Sequence, residues 1–252
     1  MVLEYRDSHN VHVVCAKAPH KAVAGLLLTE GITNENFYGM IEITFILKGP
    51  GSYTLRFQGG TVVGRDKNPL QPGKYILSRS DGEPLEPCKD AWLIKTIPPT
   101  GKKASRNDAF KKAVRKRDMG CVVTGEPAVN AQYGGWQGMQ VAHIFPLALE
   151  KYWEDHGLGT TLISYPPPKS PRRINSVQNG MVLRSDVHEL FDDYKMAINP
   201  DDNFKVVFFV RDIKNIAGRH LSQKLIDDPK RPVDGLLRWH YRQCVLANMR
   251  YD

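Results

Sequence analysis

Short apolar runs separated by Gly, Pro, Asn and Asp dominate residues 11–97. SYTLRFQG (52–59) alternates polar and apolar with period two, as a half-buried strand does. MIEITFILKG (40–49), rich in β-branched and aromatic residues and closed by Gly49-Pro50-Gly51, predicts a strand. KYILS (74–78) and DAWLIKTI (90–97) predict two more, with TVVG and the turn-rich RDKNPLQPG lying before KYILS. KAVAGLLLTEG fits a strand or a short helix equally well. Strands at this spacing imply a small sheet, sandwich or barrel.

The stretch PPTGKKAS (98–105) reads as a linker, dividing a β-rich domain (1–100) from a second domain (101–252). Ser105 is a candidate N-cap for a helix over 106–118, whose only apolar stripe is Phe110 and Val114. A short strand and turn follow at 121–125. A strand over 139–144 delivers His143 near its end, before Phe145-Pro146. The Pro-rich, basic SYPPPKSPRRI (164–174) reads as an extended loop. A second short strand at 181–183 runs into a helix capped by Ser185 or Asp186, with Asp186 and Glu189 spaced as a capping box. That helix carries His188 and Asp192 at i and i+4, on one face. NFKVVFFVRDI (203–213) predicts a strand. Residues 233–249 predict a helix with Leu237, Tyr241, Cys244, Val245 and Asn248 near one face. The expected fold class is α+β, a mainly β N-terminal domain followed by a strand–loop–strand–helix unit (core 119–200) with flanking helices.

Composition narrows the function classes. With 252 residues, 41% of them hydrophobic and 25% charged, the chain can bury a core without staples, as one large or two small domains. Its four cysteines, Cys15, Cys88, Cys121 and Cys244, form no CxxC pair, which argues against a zinc ribbon and a disulfide framework. The polar start MVLEYRDSHN and the lack of a long apolar run predict an intracellular protein, nuclear or cytoplasmic, neither secreted nor membrane-bound. The net charge of +8 is concentrated. Residues 102–117 hold eight basic side chains against one acid, Asp108. Such a block is an electrostatic footprint for nucleic acid, a solvated helix face, or a localisation signal of the KKAVRKR kind.

The ordered set VAHIFP (141–146) and NGMVLRSDVHELFDD (179–193) resembles the HNH endonucleases, or ββα-metal nucleases. It is closest to a subgroup with an AHI…P strand and an NG-x-L-R-x-D-x-H-x-L-F-D helix start, found in fungal HNH-domain proteins and modification-dependent restriction nucleases. The resemblance covers roughly residues 115–200.

It implies hydrolysis of DNA phosphodiester bonds. His143 would be the general base that activates water, a role suited to an imidazole near neutral pH. Asn179 would brace the loop and orient that histidine. His188 and Asp192 would hold a divalent ion. A carboxylate favours Mg²⁺ or Mn²⁺ over Zn²⁺. Many members carry Asp or His just before the base, as a metal ligand; here Ala142 stands there. Expected nucleic-acid contacts are Lys111, Lys112, Arg115, Lys116 and Arg117 in the basic block, Arg172 and Arg173 in the loop, and Arg184, which fits an acid partner equally well. Trp136, in YGGWQG, reads as a turn anchor or a base-stacking ring. Two further readings share these residues. One is a non-catalytic binding module that keeps the ββα fold, suggested by Ala142. The other is an RNA-cleaving enzyme with the same centre. A homodimer is compatible with all three.

Overall fold

The computed structural model describes residues 8–47, 52–90, 108–167 and 173–251. It is α+β, with a strand-rich N-terminal sheet. Strands β1 (Val11–Cys15), β2 (Ala18–Leu26), β3 (Tyr53–Phe57) and β4 (Gly73–Arg79) form a sheet in the order β2-β1-β4-β3. β1 pairs antiparallel with β2 and parallel with β4, while β3 and β4 pair antiparallel. The undecided KAVAGLLL segment is thus largely strand.

Residues 48–49 of the expected strand over 40–49 lie outside the described residues, and residues 40–44 are instead the end of a helix, α1 (Asn34–Thr44). Thr33 caps it in a reciprocal capping box with Asn36. Phe37, Met40, Ile41 and Thr44 are buried at helical spacing, so a face packed on the sheet overrides the β propensity of its Ile and Thr residues. Residues 91–97 of the strand expected at 90–97, the cap Ser105 and residues 106–107 of the next helix lie outside the described residues.

The rest of the chain runs through α2 (Asp108–Asp118), β5 (Met139–His143), α3 (Glu150–Asp155), α4 (Leu158–Thr161), β6 (Gly180–Arg184), α5 (Ser185–Asp192), β7 (Met196–Asn199), β8 (Lys205–Phe208), α6 (Gln223–Ile226) and α7 (Asp234–Met249). Residues 121–125 form a turn rather than a strand, with Gly125 in the left-handed region and Val122 N–H donating to the Val182 carbonyl. The expected cap of α5 is also corrected. Its N-cap is Arg184, without a side-chain bond, because ion pairs take up the Asp186 carboxylate.

β7 and β8 form an antiparallel hairpin between two cores. Met196, Ile198, Val206 and Phe208 face the apolar cluster around Trp153, Phe145 and Phe191. Ala197, Val207 and Phe209 face the cluster of the N-terminal sheet and α1. α7 spans the same boundary, giving Leu236 and Leu237 to the first cluster and Tyr241, Cys244, Val245 and Met249 to the second. No helix among the described residues is long and apolar enough to cross a membrane.

Candidate active site

A two-stranded layer carries the predicted residues. β5 and β6 pair antiparallel, with Ala142 opposite Met181 and His143 opposite Gly180. α2 covers one face and α5 the other. Side chains alternate along a strand, so Val141 and His143 turn toward α2 while Gln140 and Ala142 turn toward α5. Phe110 and Val114 of α2 pack on Val141 and Val182. The approach is close enough that a Cβ at Gly180 would lie 2.5 Å from the Phe110 ring. The glycine after Asn179 therefore makes room for α2.

His143 is 8% exposed and stacks on Phe110, with ring centroids 4.1 Å apart. Its Nε2 lies 3.0 Å from Asn175 Oδ1. An amide oxygen only accepts, so this contact is a hydrogen bond in the tautomer that carries its proton on Nε2, which leaves the lone pair on Nδ1. Asn179 is fully buried. Its Oδ1 accepts from Phe145 N–H at 2.8 Å, and its Nδ2 donates to the carbonyls of Phe145 (3.1 Å) and Ile174 (2.9 Å). Its own carbonyl accepts from Ile144 N–H. One side chain thus ties the end of β5 to the segment that brings in Asn175.

His188 is on the opposite face. Its Nδ1 lies 2.6 Å from Gln140 Oε1, and its Nε2 lies 3.3 Å from Asp192 Oδ2. The amide oxygen of Gln140 again assigns the proton, here to Nδ1. In the neutral ring, the Nε2 lone pair then faces a carboxylate oxygen, and two electron-rich atoms this close need a proton or a cation between them. The donor chemistry therefore fits a metal ion. It does not supply a full shell. Among the described residues, no group of three or more His, Cys, Asp or Glu side chains gathers. Ala142 is 1% exposed in the apolar cluster with Val187 and Phe191, so apolar packing fills the position where a ligand is often found.

The basic residues divide into two groups. Lys112 and Lys116 are exposed along α2. Lys111 lies 3.5 Å from Asp108, and the Arg115 guanidinium stacks over Trp136 at 4.7 Å. Lys111, Lys112 and Arg115 line a hollow of about 280 Å³ with Met139, Gln140 and Val141, so this cationic surface reaches the Gln140 that holds His188. Trp136 is the anchor under that surface.

Arg117 is not on it. Its guanidinium, 3% exposed, grips Asp118 and donates to the carbonyls of Val177, Lys230 and Gly180. Asp118 in turn accepts from Val182 N–H. Burial pushes the Asp118 carboxyl up, against the pull of Arg117. Arg117 thus locks α2 to the hairpin, and the bonds that hold its guanidinium give this expected nucleic-acid contact a structural role. Arg184 bonds Asp186 and Glu126, and Lys214 joins the same network; the Arg184 bonds hold the Asp186 carboxyl well below the usual range. Arg173 donates to the Gly159 carbonyl at 3.4 Å, and Arg172 lies outside the described residues.

Gln140, Asn175 and the Arg117–Asp118 lock went unnoticed in the sequence. Asn175 sits four residues before Asn179, a spacing with no meaning until the loop closes on His143.

Residues 121–199 match a family model described as HNH endonuclease, and residues 8–83 match a domain of unknown function, DUF8573. No curated protein and no solved structure matches the chain. The HNH match spans the β5–β6 hairpin, the loop between its strands and α5, so this segment is similar to HNH endonuclease domains.

Proposed function

We propose that the chain is a metal-dependent endonuclease that hydrolyses DNA phosphodiester bonds. The observation that carries this reading is a pair of imidazoles on the two faces of one hairpin, His143 from β5 and His188 from α5, each with a ring nitrogen against an amide oxygen. Asn175 leaves the basic lone pair of His143 on Nδ1, and Gln140 turns that of His188 onto Nε2 beside Asp192. In this reading His143 takes the proton of the attacking water through Nδ1, while Asn179 holds the strand end rigid and Asn175 steadies the ring. His188 and Asp192 hold a divalent ion, which when bound stabilises charge on the phosphate. One imidazole and one carboxylate would suit Mg²⁺ or Mn²⁺, which need few protein donors, better than Zn²⁺, which takes three or four. Lys111, Lys112, Arg115 and Lys116 bind the substrate backbone. His143, at the end of β5, and His188, on α5, lie on opposite faces of the hairpin, so in this reading the scissile strand passes the edge of β5 to meet both.

Plasmid relaxation with Mg²⁺ or Mn²⁺, with and without EDTA, beside His143→Ala, tests this. Cleavage that needs the metal and is lost in His143→Ala supports it. A wild-type protein that binds supercoiled, linear and single-stranded DNA yet leaves all three intact would favour the binding-module reading suggested by Ala142. Labelled RNA in parallel decides the sugar.

A further inference from the structure

Beside His143, on the flank of α2 away from the Lys111–Arg115 hollow, a second cavity of about 550 Å³ opens. Its walls are largely apolar: Ala109, Phe110 and Ala113 of α2 face Tyr165, Pro166, Pro167 and Val177. Two of its lining residues touch the expected base, Phe110 by stacking and Asn175 by a hydrogen bond. Lys116 and Lys230 add positive charge, and Lys230 Nζ sits 5.9 Å from the Tyr165 ring centre. Asp228 supplies a single acceptor carboxylate.

The cavity is built, not incidental. Arg117 cross-links two of its walls by donating to the carbonyls of Val177 and Lys230. Tyr165 is pinned at both ends: its N–H donates to Gln178 Oε1 at 2.9 Å, and its carbonyl accepts from Ser176 Oγ at 2.7 Å. Its ring nevertheless stays 40% exposed. A rigid backbone that presents an exposed aromatic ring over an apolar floor fits a flat, amphipathic ring. Cations at the rim fit the phosphate attached to such a ring. A paired base in a duplex cannot enter, because its faces are covered by its neighbours.

We propose that this cavity receives an unstacked nucleobase of the substrate strand, next to the scissile phosphate, with the base against Tyr165 and its phosphate on Lys116 and Lys230. The proposal rests on the nuclease reading and adds the substrate class, a locally single-stranded segment.

The test is binding of the wild-type full chain in EDTA to oligonucleotides that carry 2-aminopurine at successive positions. One set is single-stranded and one is duplex. The expected result is quenching confined to one position of the single strand, relieved in Tyr165→Ala and kept in Tyr165→Phe. Tyr165→Ala should also weaken single-strand binding by about tenfold, as loss of one stacked base does, and change duplex binding less than about twofold. DNA that binds with no position-specific quenching, or with equal loss for both forms in Tyr165→Ala, would overturn the cavity and leave the nuclease reading standing. Absence of any DNA binding would overturn both.

Discussion

Amide side chains position the residues of the motif: Asn175 meets the His143 ring, the exposed Gln140 meets His188, and the buried Asn179 ties down the end of β5. Asn179 is the clearest case. Its amide satisfies Phe145 N–H, Phe145 C=O and Ile174 C=O, none of which meets water. Asn179→Ala leaves those groups unpaired and should cost about 2–4 kcal/mol in urea unfolding, since each buried polar group left without a partner costs about 1–3 kcal/mol. Cleavage should fall further than the folded fraction does, because His143 loses its fixed strand end. A loss of activity that only tracks unfolding would make Asn179 structural alone. At this scale the sequence was informative where chemistry is local. His143, Asn179 and His188 are set by spacing within one motif, and the structure places each on its expected element. Arg117 was not legible as a structural residue, whereas an acid partner was one of the two readings of Arg184, without the identity of Glu126. The carbonyls that engage Arg117 come from residues 60 and 113 positions away, and the Glu126 that engages Arg184 is 58 away.

Among the elements, α2 has two jobs that its charge pattern alone does not separate. Its inner stripe, Phe110, Val114 and Arg117, fixes it to the hairpin. Its outer faces carry Lys111, Lys112, Arg115 and Lys116 beside the two hollows. The functions should separate by mutation. Lys112→Gln with Lys116→Gln should leave stability unchanged within about 0.5 kcal/mol, as exposed substitutions do. It should also lower the slope of log K against log salt for duplex DNA by about 0.9 per lysine. Arg117→Gln should leave that slope alone and destabilise by about 3–5 kcal/mol, because it strands the buried Asp118. If Arg117→Gln lowers the slope while stability holds, its structural assignment is wrong. α1 shows why other elements were hard to read. MIEIT carries β-branched residues that suit a strand, but the Thr33–Asn36 capping box and the packing of Phe37, Met40 and Ile41 decide for helix.

In the whole molecule, the core beneath the site is joined to that of the N-terminal sheet, although no described N-terminal residue enters the site. The β7–β8 hairpin directs alternate side chains to the two cores, and α7 lends a face to each. Lys205 adds a polar tie. From β8 its Nζ pairs with Asp202 at 2.5 Å and reaches Gly31 O and Asn36 Oδ1 in the N-terminal region. Two cores joined through one hairpin and one helix should unfold together. Phe209→Ala, 2% exposed on the N-terminal side of that hairpin, removes a large buried ring at a cost of about 3–5 kcal/mol. Hydrogen exchange should then show β1 and β5 amides losing protection by the same free energy, although β5 touches the other core. Far-UV circular dichroism and tryptophan fluorescence should trace one coincident transition. A variant in which β1 exchanges freely while β5 keeps its wild-type protection would mean two independent domains. In that case Tyr165 and Asn175 should keep their positions when the N-terminal sheet is lost. In a coupled molecule they should not, because Gln178, which pins Tyr165, also receives Val233 N–H on its carbonyl at the start of α7, the helix both cores share.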